Sequence, residues 1–203
     1  MKKIVIGITG NIGSGKTKIA NLFREFNFEI IELDKLAHNF YKEKKFKKKV
    51  IKIFGDKILG NNNEIDRNKL RKLVFSSENN LNKLNKLVHP KLKEELKLKL
   101  KKLKKEKNNG IIIDAALIYE LKLENLCNYV IVVATNRFFS FLRLFFSRGL
   151  SYKEFNSIYN SQMSIKEKMK RADFVIRNNL IWFLNKSIVK SKINKIIKKL
   201  NSR

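Results

Sequence analysis

The chain has 203 residues, of which 43% are hydrophobic, and this length can bury one substantial core. Its 46 Lys and Arg residues against 18 Asp and Glu residues give a formal charge of +28 at pH 7. No apolar run approaches the roughly 18 to 20 residues that span a bilayer, and the run after the opening MKK is too short for a secretion signal. A single cysteine, Cys127, excludes an internal disulfide and a cysteine-built metal site. We therefore expect a cytoplasmic protein without a membrane segment.

The positive charge is of a size that is typical of nucleic-acid-binding proteins. Lysine dominates over arginine, however, and Asn, Ile and Phe are plentiful while the chain has only 8 Gly and 1 Pro. Lys, Asn, Ile and Phe are the residues of AT-rich codons, so compositional drift accounts for this charge. We predict no nucleic-acid partner, although the basic surface should attract anionic ligands.

The first third of the chain alternates between strand and helix patterns. The β-branched, apolar segment 3–8 predicts a short buried strand, and FEIIEL (28–33) predicts a second strand that ends on Asp34. Apolar residues at helical spacing predict a helix over 16–26 and helices over 35–54, where Gly55 interrupts them. We therefore expect strands and helices to alternate from the start of the fold.

A lysine-rich segment from 66 to 105 carries leucines three and four residues apart, which predicts helices. The pattern is too brief for a coiled coil, and Pro90 is expected to break it. We interpret this segment as a helical arm.

The rest of the chain returns to alternating patterns. Segments 111–114, 129–135 and 172–179 predict three more strands, which indicates an α/β fold with a mostly parallel sheet. Helices are expected from Asn136 to about residue 147, after the capping box Ser151-x-x-Glu154, and from 181 to 200. The pairs Phe138-Phe139 and Phe145-Phe146 are interpreted as core residues on one helix face.

Residues Gly10-Asn11-Ile12-Gly13-Ser14-Gly15-Lys16-Thr17 satisfy the pattern G-x-x-x-x-G-K-[ST]. The pattern follows a predicted strand and opens a predicted helix, as a phosphate-binding loop requires. Its glycines allow backbone N–H groups to point at phosphate oxygens. Lys16 should reach the β- and γ-phosphates, and the Thr17 hydroxyl should bind Mg²⁺.

Phosphate loops occur in GTPases, motor ATPases and small-molecule kinases. The sequence has no Asn-Lys-x-Asp motif for reading guanine, and the strand before Asp114 does not end in adjacent acids. A small-molecule kinase therefore fits best. The alternatives are a kinase for a nucleoside or a nucleotide, and a nucleic-acid-binding ATPase.

Five motifs occur in a fixed order between residues 4 and about 179. They are Gly7-Ile8-Thr9 leading into the loop, Glu32-Leu33-Asp34-Lys35-Leu36-Ala37-His38, Ile65-Asp66-Arg67 through Leu70 to Val74-Phe75, Leu87-Val88-His89-Pro90, and Gln162 with Lys166, Lys168 and Ala172-Asp173-Phe174-Val175-Ile176-Arg177-Asn178. In this order they resemble the dephospho-coenzyme A kinase family.

The chain departs from the family pattern at several positions. Ala116 stands where the family has a proline, in Asp114-Ala115-Ala116-Leu117-Ile118-Tyr119-Glu120, and Glu32 and Glu64 replace an Asp and a Gly. Lys166 and Lys168 stand where arginine is frequent, which weakens any bidentate phosphate contact there.

The resemblance implies a P-loop kinase fold, a three-layer α/β domain with a mostly parallel five-stranded sheet over residues 1–203. It implies that 60–107 is a helical coenzyme-A-binding arm and that 137–170 is a lid. The implied reaction is transfer of the ATP γ-phosphate to the ribose 3′-hydroxyl of dephospho-CoA, the last step of coenzyme A biosynthesis, with Mg²⁺ as cofactor. ATP and dephospho-CoA are the implied partners, and we expect a monomer or a small homo-oligomer.

The candidate site residues divide by role. Asp34, Lys16 and Arg143 are the catalytic candidates, and Asp34 could alternatively cap a helix beginning at Lys35. The predicted ATP-binding residues are Asn11, Ile12, Gly13, Ser14, Gly15, Lys16, Thr17, Lys18, Arg143 and Arg148, and Thr17 is also the metal ligand. The predicted substrate-binding residues are Asp34, Arg67, His89 and Asp114. For Asp114 a contact to Mg²⁺ through water and a purely structural role both remain open. Local packing remains open for His89, and solvated lid charges remain open for both arginines.

Overall fold

The computed structural model describes residues 3–179 and 182–201. They contain five strands: β1 (Ile4–Thr9), β2 (Phe28–Glu32), β3 (Gly110–Asp114), β4 (Tyr129–Ala134) and β5 (Phe174–Arg177). These strands form one sheet in the order β2-β3-β1-β4-β5, and all four neighbouring pairs are parallel. The predicted five-stranded parallel sheet is confirmed.

Helices fill the connections between the strands. They are α1 (Lys16–Leu22), α2 (Leu33–Phe40), α3 (Lys44–Phe54), α4 (Arg67–Phe75), α5 (Glu78–Leu103), α6 (Arg137–Arg148), α7 (Tyr152–Asn160), α8 (Ile165–Lys170) and α9 (Trp182–Asn201). Ile181, where the last helix was predicted to begin, lies outside the described residues. Within the described ranges, no helix combines the length and the apolar character needed to cross a bilayer.

The chain divides into two compact units. The first comprises Met1–Glu32 and Lys99–Arg203 and contains the sheet. The second comprises Leu33–Leu98 and contains α2, α3, α4 and most of α5. The predicted arm segment 60–107 holds α4 and α5, and the predicted lid segment 137–170 holds α6, α7 and α8.

One face of the sheet is buried under α1 and α9. Alternate residues of the central strands point to this face because side chains in a strand alternate sides. The core comprises Ile6, Ile8, Ile112, Ile131, Val133 and Ile176 from the sheet, Ile19, Ala20 and Leu22 from α1, and Val189, Ile193, Ile196 and Leu200 from α9. The intervening strand residues are buried as well (Val5, Ile111, Ile113, Val130 and Val132), so the β-branched runs are buried on both faces of the parallel sheet.

Two predicted helix starts have the expected cap geometry. The Asn136 side chain accepts a hydrogen bond from the Phe138 amide at the start of α6. Ser151 and Glu154 form a reciprocal capping box at the start of α7. Each cap satisfies amide groups that the first turn of a helix leaves without intrahelical partners.

Pro90 does not break the arm helix, contrary to the sequence-based expectation. It lies inside α5, which runs continuously over 26 residues. Proline in a helix interior costs about 3 kcal/mol, because it lacks an N–H donor and its ring crowds the preceding turn. Leu92, Leu96 and Leu100 are buried along α5, and burying one such side chain contributes roughly 1.5–3 kcal/mol. Their burial is enough to offset the proline.

The phenylalanine pairs of α6 are not core residues, so that prediction was wrong. Phe138, Phe139, Phe145 and Phe146 are all exposed, Phe146 by 81%. The buried face of α6 instead carries Ser140 and Leu144, one turn apart.

Candidate phosphate-binding site

The phosphate loop connects β1 to α1 at the carboxyl edge of the sheet. Gly15 occupies the N-cap position of α1 with φ 82°, a left-handed conformation that favours glycine. Gly13 also has a left-handed φ, 76°, and a Cβ atom there would lie 2.5 Å from the Ser140 carbonyl oxygen. Side chains at either position would distort the loop. The glycine spacing of the motif therefore has a direct steric cause.

Side chains from outside the loop donate hydrogen bonds to its backbone carbonyl groups. The Ser14 carbonyl accepts hydrogen bonds from Asn178 Nδ2 at 2.8 Å and from Thr135 Oγ1 at 3.1 Å. Arg143 Nη1 donates to the carbonyls of Ser14 and Gly13 at 3.2 and 3.3 Å. Because these side chains hold the carbonyls, they fix the orientation of the peptide groups whose amides form the cradle.

Arg143 therefore contacts the loop itself. Its Nη2 also donates to the Asn178 carbonyl at 2.8 Å, so one guanidinium joins α6, the loop and the residue that follows β5. Partial burial lowers the pKa of Arg143 from its ordinary value. Arg148 is the last residue of α6 and is exposed.

The segment after α7 lies against the start of the loop. Gln162 Oε1 accepts a hydrogen bond from the Ile12 amide at 2.9 Å, and Asn11 Nδ2 donates to the Met163 carbonyl at 3.4 Å. Two of the predicted ATP-binding residues thus also contact the predicted lid.

Lys16 and Thr17 are the first two residues of α1, and both are partly exposed. Lys18, the next residue, is exposed on the helix. Gly15 has no side chain, so it cannot cap the first amides of α1. These amides lie next to the side chains of Lys16 and Thr17. This arrangement suits an anion at the loop.

Asp114 is buried at the last position of β3. In the sheet it pairs with Ile8 of β1 and with Glu32 of β2, so its carboxylate group belongs to the edge where the loop begins. Directly after it, the Ala116 carbonyl accepts a hydrogen bond from Thr9 Oγ1 at 3.0 Å. The turn after β3 is thus joined to the last residue of β1.

Asp34, Arg67 and His89 belong to the second unit. Asp34 is exposed in the first turn of α2, which begins at Leu33, so it is not the cap of a helix starting at Lys35. A carboxylate in a first turn is favoured by the helix dipole.

Arg67 is the first residue of α4, which Asp66 caps through the amides of Asn68 and Lys69. Burial lowers the pKa of His38 on α2, and the charge of Arg67 lowers it further. The arginine therefore lies near the helix that carries Asp34.

His89 lies within α5 and is partly buried. Burial, with a smaller contribution from Lys93, lowers the pKa of its imidazole. Between α3 and α5, a hollow of about 500 Å³ is lined by Ile53, Lys83, Lys86 and Leu87, and His89 is not among its lining residues.

Cys127 is a poor nucleophile in this fold. Its thiol donates to the Leu123 carbonyl, and burial with the nearby carboxylates of Glu124 and Asp173 raises its pKa to about 12. A pKa this high leaves the thiol unreactive near neutral pH, because the thiolate is the reactive form.

Sequence reasoning did not assign a role to three side chains that hold the loop, which are Thr135, Gln162 and Asn178. Gln162 and Asn178 were identified only as members of a family motif. A hydrogen bond to a carbonyl more than 100 residues away leaves no periodic signal in the sequence.

A phosphate loop between the first strand and the first helix of a parallel sheet defines a P-loop protein of the nucleotide-binding α/β class. The sequence matches the family described as dephospho-CoA kinase over residues 4–181. The chain therefore belongs to the dephospho-CoA kinase family, whose members are ATP-dependent phosphotransferases.

Individual relatives agree with this assignment. A dephospho-CoA kinase from Bacillus cereus (strain ZK / E33L) is 37% identical over 177 residues, which cover 87% of this chain and 88% of the relative. The solved dephospho-CoA kinase from Campylobacter jejuni superposes with a TM-score of 0.67 at 26% identity, covering 97% of this chain and 96% of that one. TT1252 from Thermus thermophilus superposes with a TM-score of 0.78 at 28% identity, covering 98% and 99% of the two chains.

Proposed function

We propose that the chain transfers the γ-phosphoryl group of ATP to the ribose 3′-hydroxyl of dephospho-CoA, giving ADP and coenzyme A. The observation that carries this proposal is a complete phosphate loop, with its carbonyls held by Asn178, Thr135 and Arg143, in a chain of the dephospho-CoA kinase family. Phosphoryl transfer depends mainly on positioning and on neutralising charge, and a rigid cradle supplies both.

The phosphate loop is the proposed ATP site. Its amides and Lys16 hold the β- and γ-phosphates, and Asn11, Ile12 and Lys18 flank them. The main role of Arg143 is to hold the loop in shape through the carbonyls of Gly13 and Ser14. Its positive charge also adds to the positive potential at the phosphates. Arg148 would approach ATP only when the lid segment 137–170 closes, as lids do in many kinases.

A magnesium ion fits the oxygen atoms next to the loop. Thr17 offers a hydroxyl group and Asp114 a carboxylate, and hard cations prefer such ligands. Within the described ranges, no group of three or more His, Cys, Asp or Glu side chains is arranged to hold a metal. The ion would therefore take its remaining ligands from phosphate oxygens and water, and it would neutralise charge on the transferring group.

The predicted substrate-binding residues hold the acceptor, dephospho-CoA. Asp34 accepts the proton of the 3′-hydroxyl, on the strength of the family resemblance and of its place two residues after β2. Arg67 and His89 bind the coenzyme-A portion in the arm segment 60–107, and Asp114 orients the acceptor. The single cysteine supports a cytoplasmic location, and the chain acts as a monomer or a small homo-oligomer.

A coupled assay of ADP release tests the function against its rivals. The purified chain is offered ATP and Mg²⁺ with dephospho-CoA, with nucleosides, with nucleoside monophosphates or with single-stranded DNA. We expect ADP release only with dephospho-CoA. Faster release with a nucleoside or a nucleotide would indicate another small-molecule kinase, and stimulation by DNA would indicate a nucleic-acid-binding ATPase.

A further inference from the structure

Lys168 on α8 is fully buried, with 0% of its side chain exposed. Among the described residues it is the one Lys or Arg in the buried class, in a chain with 46 such residues. Burying an ammonium group is costly unless it is paired and hydrogen-bonded. Both conditions are met, because Nζ lies 2.9 Å from Glu120 Oε1 and donates to the Ala116 carbonyl at 2.7 Å.

These two contacts belong to a longer network. The Ala116 carbonyl that accepts from Lys168 also accepts from Thr9 Oγ1 in β1. Glu120 Oε1, the other partner, also accepts from the Met163 amide at 2.8 Å. The Met163 carbonyl in turn accepts from Asn11 Nδ2 of the phosphate loop. The ammonium of Lys168 is therefore the centre of a network that reaches Asn11 in the loop at one end and Thr9, the residue just before the loop, at the other.

The electrostatic surroundings agree with this central position. Burial lowers the pKa of Lys168, Glu120 opposes that change, and the positive charge of Lys16 adds to it. The charges of the two lysines therefore interact. The hydrogen bonds of Lys168, however, go to protein oxygens and not to solvent. Replacing a buried ion pair by apolar residues is frequently neutral for stability. A contribution to stability therefore does not by itself explain why the Lys168–Glu120 ion pair is present.

We propose that Lys168 is a positioning residue for phosphoryl transfer, whose buried ammonium fixes the turn 115–120 and, through Glu120 and Met163, holds the segment 162–163 against the phosphate loop. This inference rests on the proposed function. Displacing catalytic groups by about 1 Å can lower a rate by about 10²-fold, so a network of this kind can control turnover without touching substrate.

The first test separates positioning from stability. Lys168→Met alone leaves Glu120 without its ion-pair partner, so the double variant Lys168→Met/Glu120→Gln is the main comparison because it removes both charges. We expect its melting temperature to lie near that of the wild type. Its kcat with dephospho-CoA should fall by about 10- to 100-fold, while the Kd for ATP stays within about threefold. The matched control is Lys170→Met, an exposed lysine at the end of the same helix, which should change neither quantity.

Rescue provides a second variant if the methionine variants fold poorly. Lys168→Arg keeps a positive charge and hydrogen-bond donors at the site, and we expect it to retain kcat within about fivefold of the wild type. A folded arginine variant that is as slow as the methionine variant would overturn the inference.

Hydrogen exchange gives a readout that does not depend on turnover. In Lys168→Met/Glu120→Gln, peptides covering 115–121 and 161–170 should exchange at least about tenfold faster than in the wild type, because local opening becomes easier. Peptides of β1 and β4 should not change. Unchanged exchange in both network peptides, or a kcat of the double variant within about threefold of the wild type, would overturn the proposal. If the wild type and Lys170→Met both fail to phosphorylate dephospho-CoA, the proposed function fails instead, and exchange still decides whether the network holds these segments.

Discussion

Arg143 spans three backbone carbonyls with one guanidinium, at Gly13, Ser14 and Asn178. A lysine carries a single compact ammonium and cannot reproduce this fork, so Arg143→Lys should loosen the loop. A hydrogen bond to a charged group contributes about 1.5–3 kcal/mol, so kcat/KM for ATP should fall by about 10- to 100-fold. Steady-state kinetics at varied ATP concentration measure this effect.

The matched control for Arg143 is Arg137 on the same helix. Its Nη2 donates to the side chains of Asn156 and Asn160, so Arg137→Lys leaves the loop carbonyls untouched. We expect the control to keep kcat/KM for ATP within about twofold. Equal losses in the two variants would show that Arg143 acts through the general charge of α6 and not through the loop.

A substitution of Asp34 can test its proposed role as the general base. Asp34 lies in the first turn of α2, where Asn has the same shape but lacks the charge that accepts a proton. If Asp34 is the general base, Asp34→Asn lowers kcat by roughly 10² to 10⁴, and the affinity for ATP changes little. Steady-state kinetics with dephospho-CoA and a direct ATP titration measure the two quantities.

Asp66→Asn is the control for Asp34→Asn. Asp66 caps α4 through two backbone amides, and Asn is nearly as good a cap, so this variant should keep full activity. Near-normal turnover in Asp34→Asn would end the assignment of Asp34 as the base.

At the scale of elements, α5 carries the clearest conflict between local preference and tertiary burial. Pro90 lies inside a 26-residue helix that buries Leu92, Leu96 and Leu100. Pro90→Ala restores an N–H donor, and we expect it to raise the free energy of unfolding by about 1 to 3 kcal/mol. Urea denaturation measures the change, with Leu98→Ala at an exposed position of the same helix as the control. A lower stability in Pro90→Ala would show that the helix depends on the proline.

The elements that could be predicted from the sequence are those with a local cause. Segment 3–8 is apolar and β-branched, and β1 forms there, over Ile4–Thr9. Asn136 and the pair Ser151 and Glu154 are capping residues that act within one helical turn. Such signals are short-range, so a single sequence carries them in full.

The features that could not be predicted depend on residues that are distant in the sequence. The phenylalanines of α6 are apolar at helical spacing, which predicts burial, yet the face that packs is the one with Ser140, whose carbonyl approaches Gly13. In the sequence, Lys168 cannot be distinguished from the many surface lysines. Its burial follows from the contacts with Glu120 and Ala116, which only the fold brings together. The motif located the phosphate loop, but the side chains that hold it came only from the structure.

At the scale of the whole molecule, the formal charge of +28 is the feature that the proposed function does not require. If the charge is compositional, duplex DNA should bind only non-specifically, with a Kd above about 1 μM at physiological salt. The affinity should also fall steeply as salt is raised, because binding then depends on counterion release. Fluorescence anisotropy over a salt series checks this expectation. Submicromolar binding at physiological salt with a preference for one sequence would contradict it.

The central claim is that this chain phosphorylates the 3′-hydroxyl of dephospho-CoA. The most direct measurement is ³¹P NMR of the product formed from ATP, Mg²⁺ and dephospho-CoA, beside a parallel reaction with a 3′-deoxy analogue of dephospho-CoA. We expect a new phosphomonoester resonance, coupled to the ribose 3′ proton, that grows with ADP and does not form with the analogue. ADP formation with unchanged dephospho-CoA, or a phosphorylated product from the 3′-deoxy analogue, would contradict the claim.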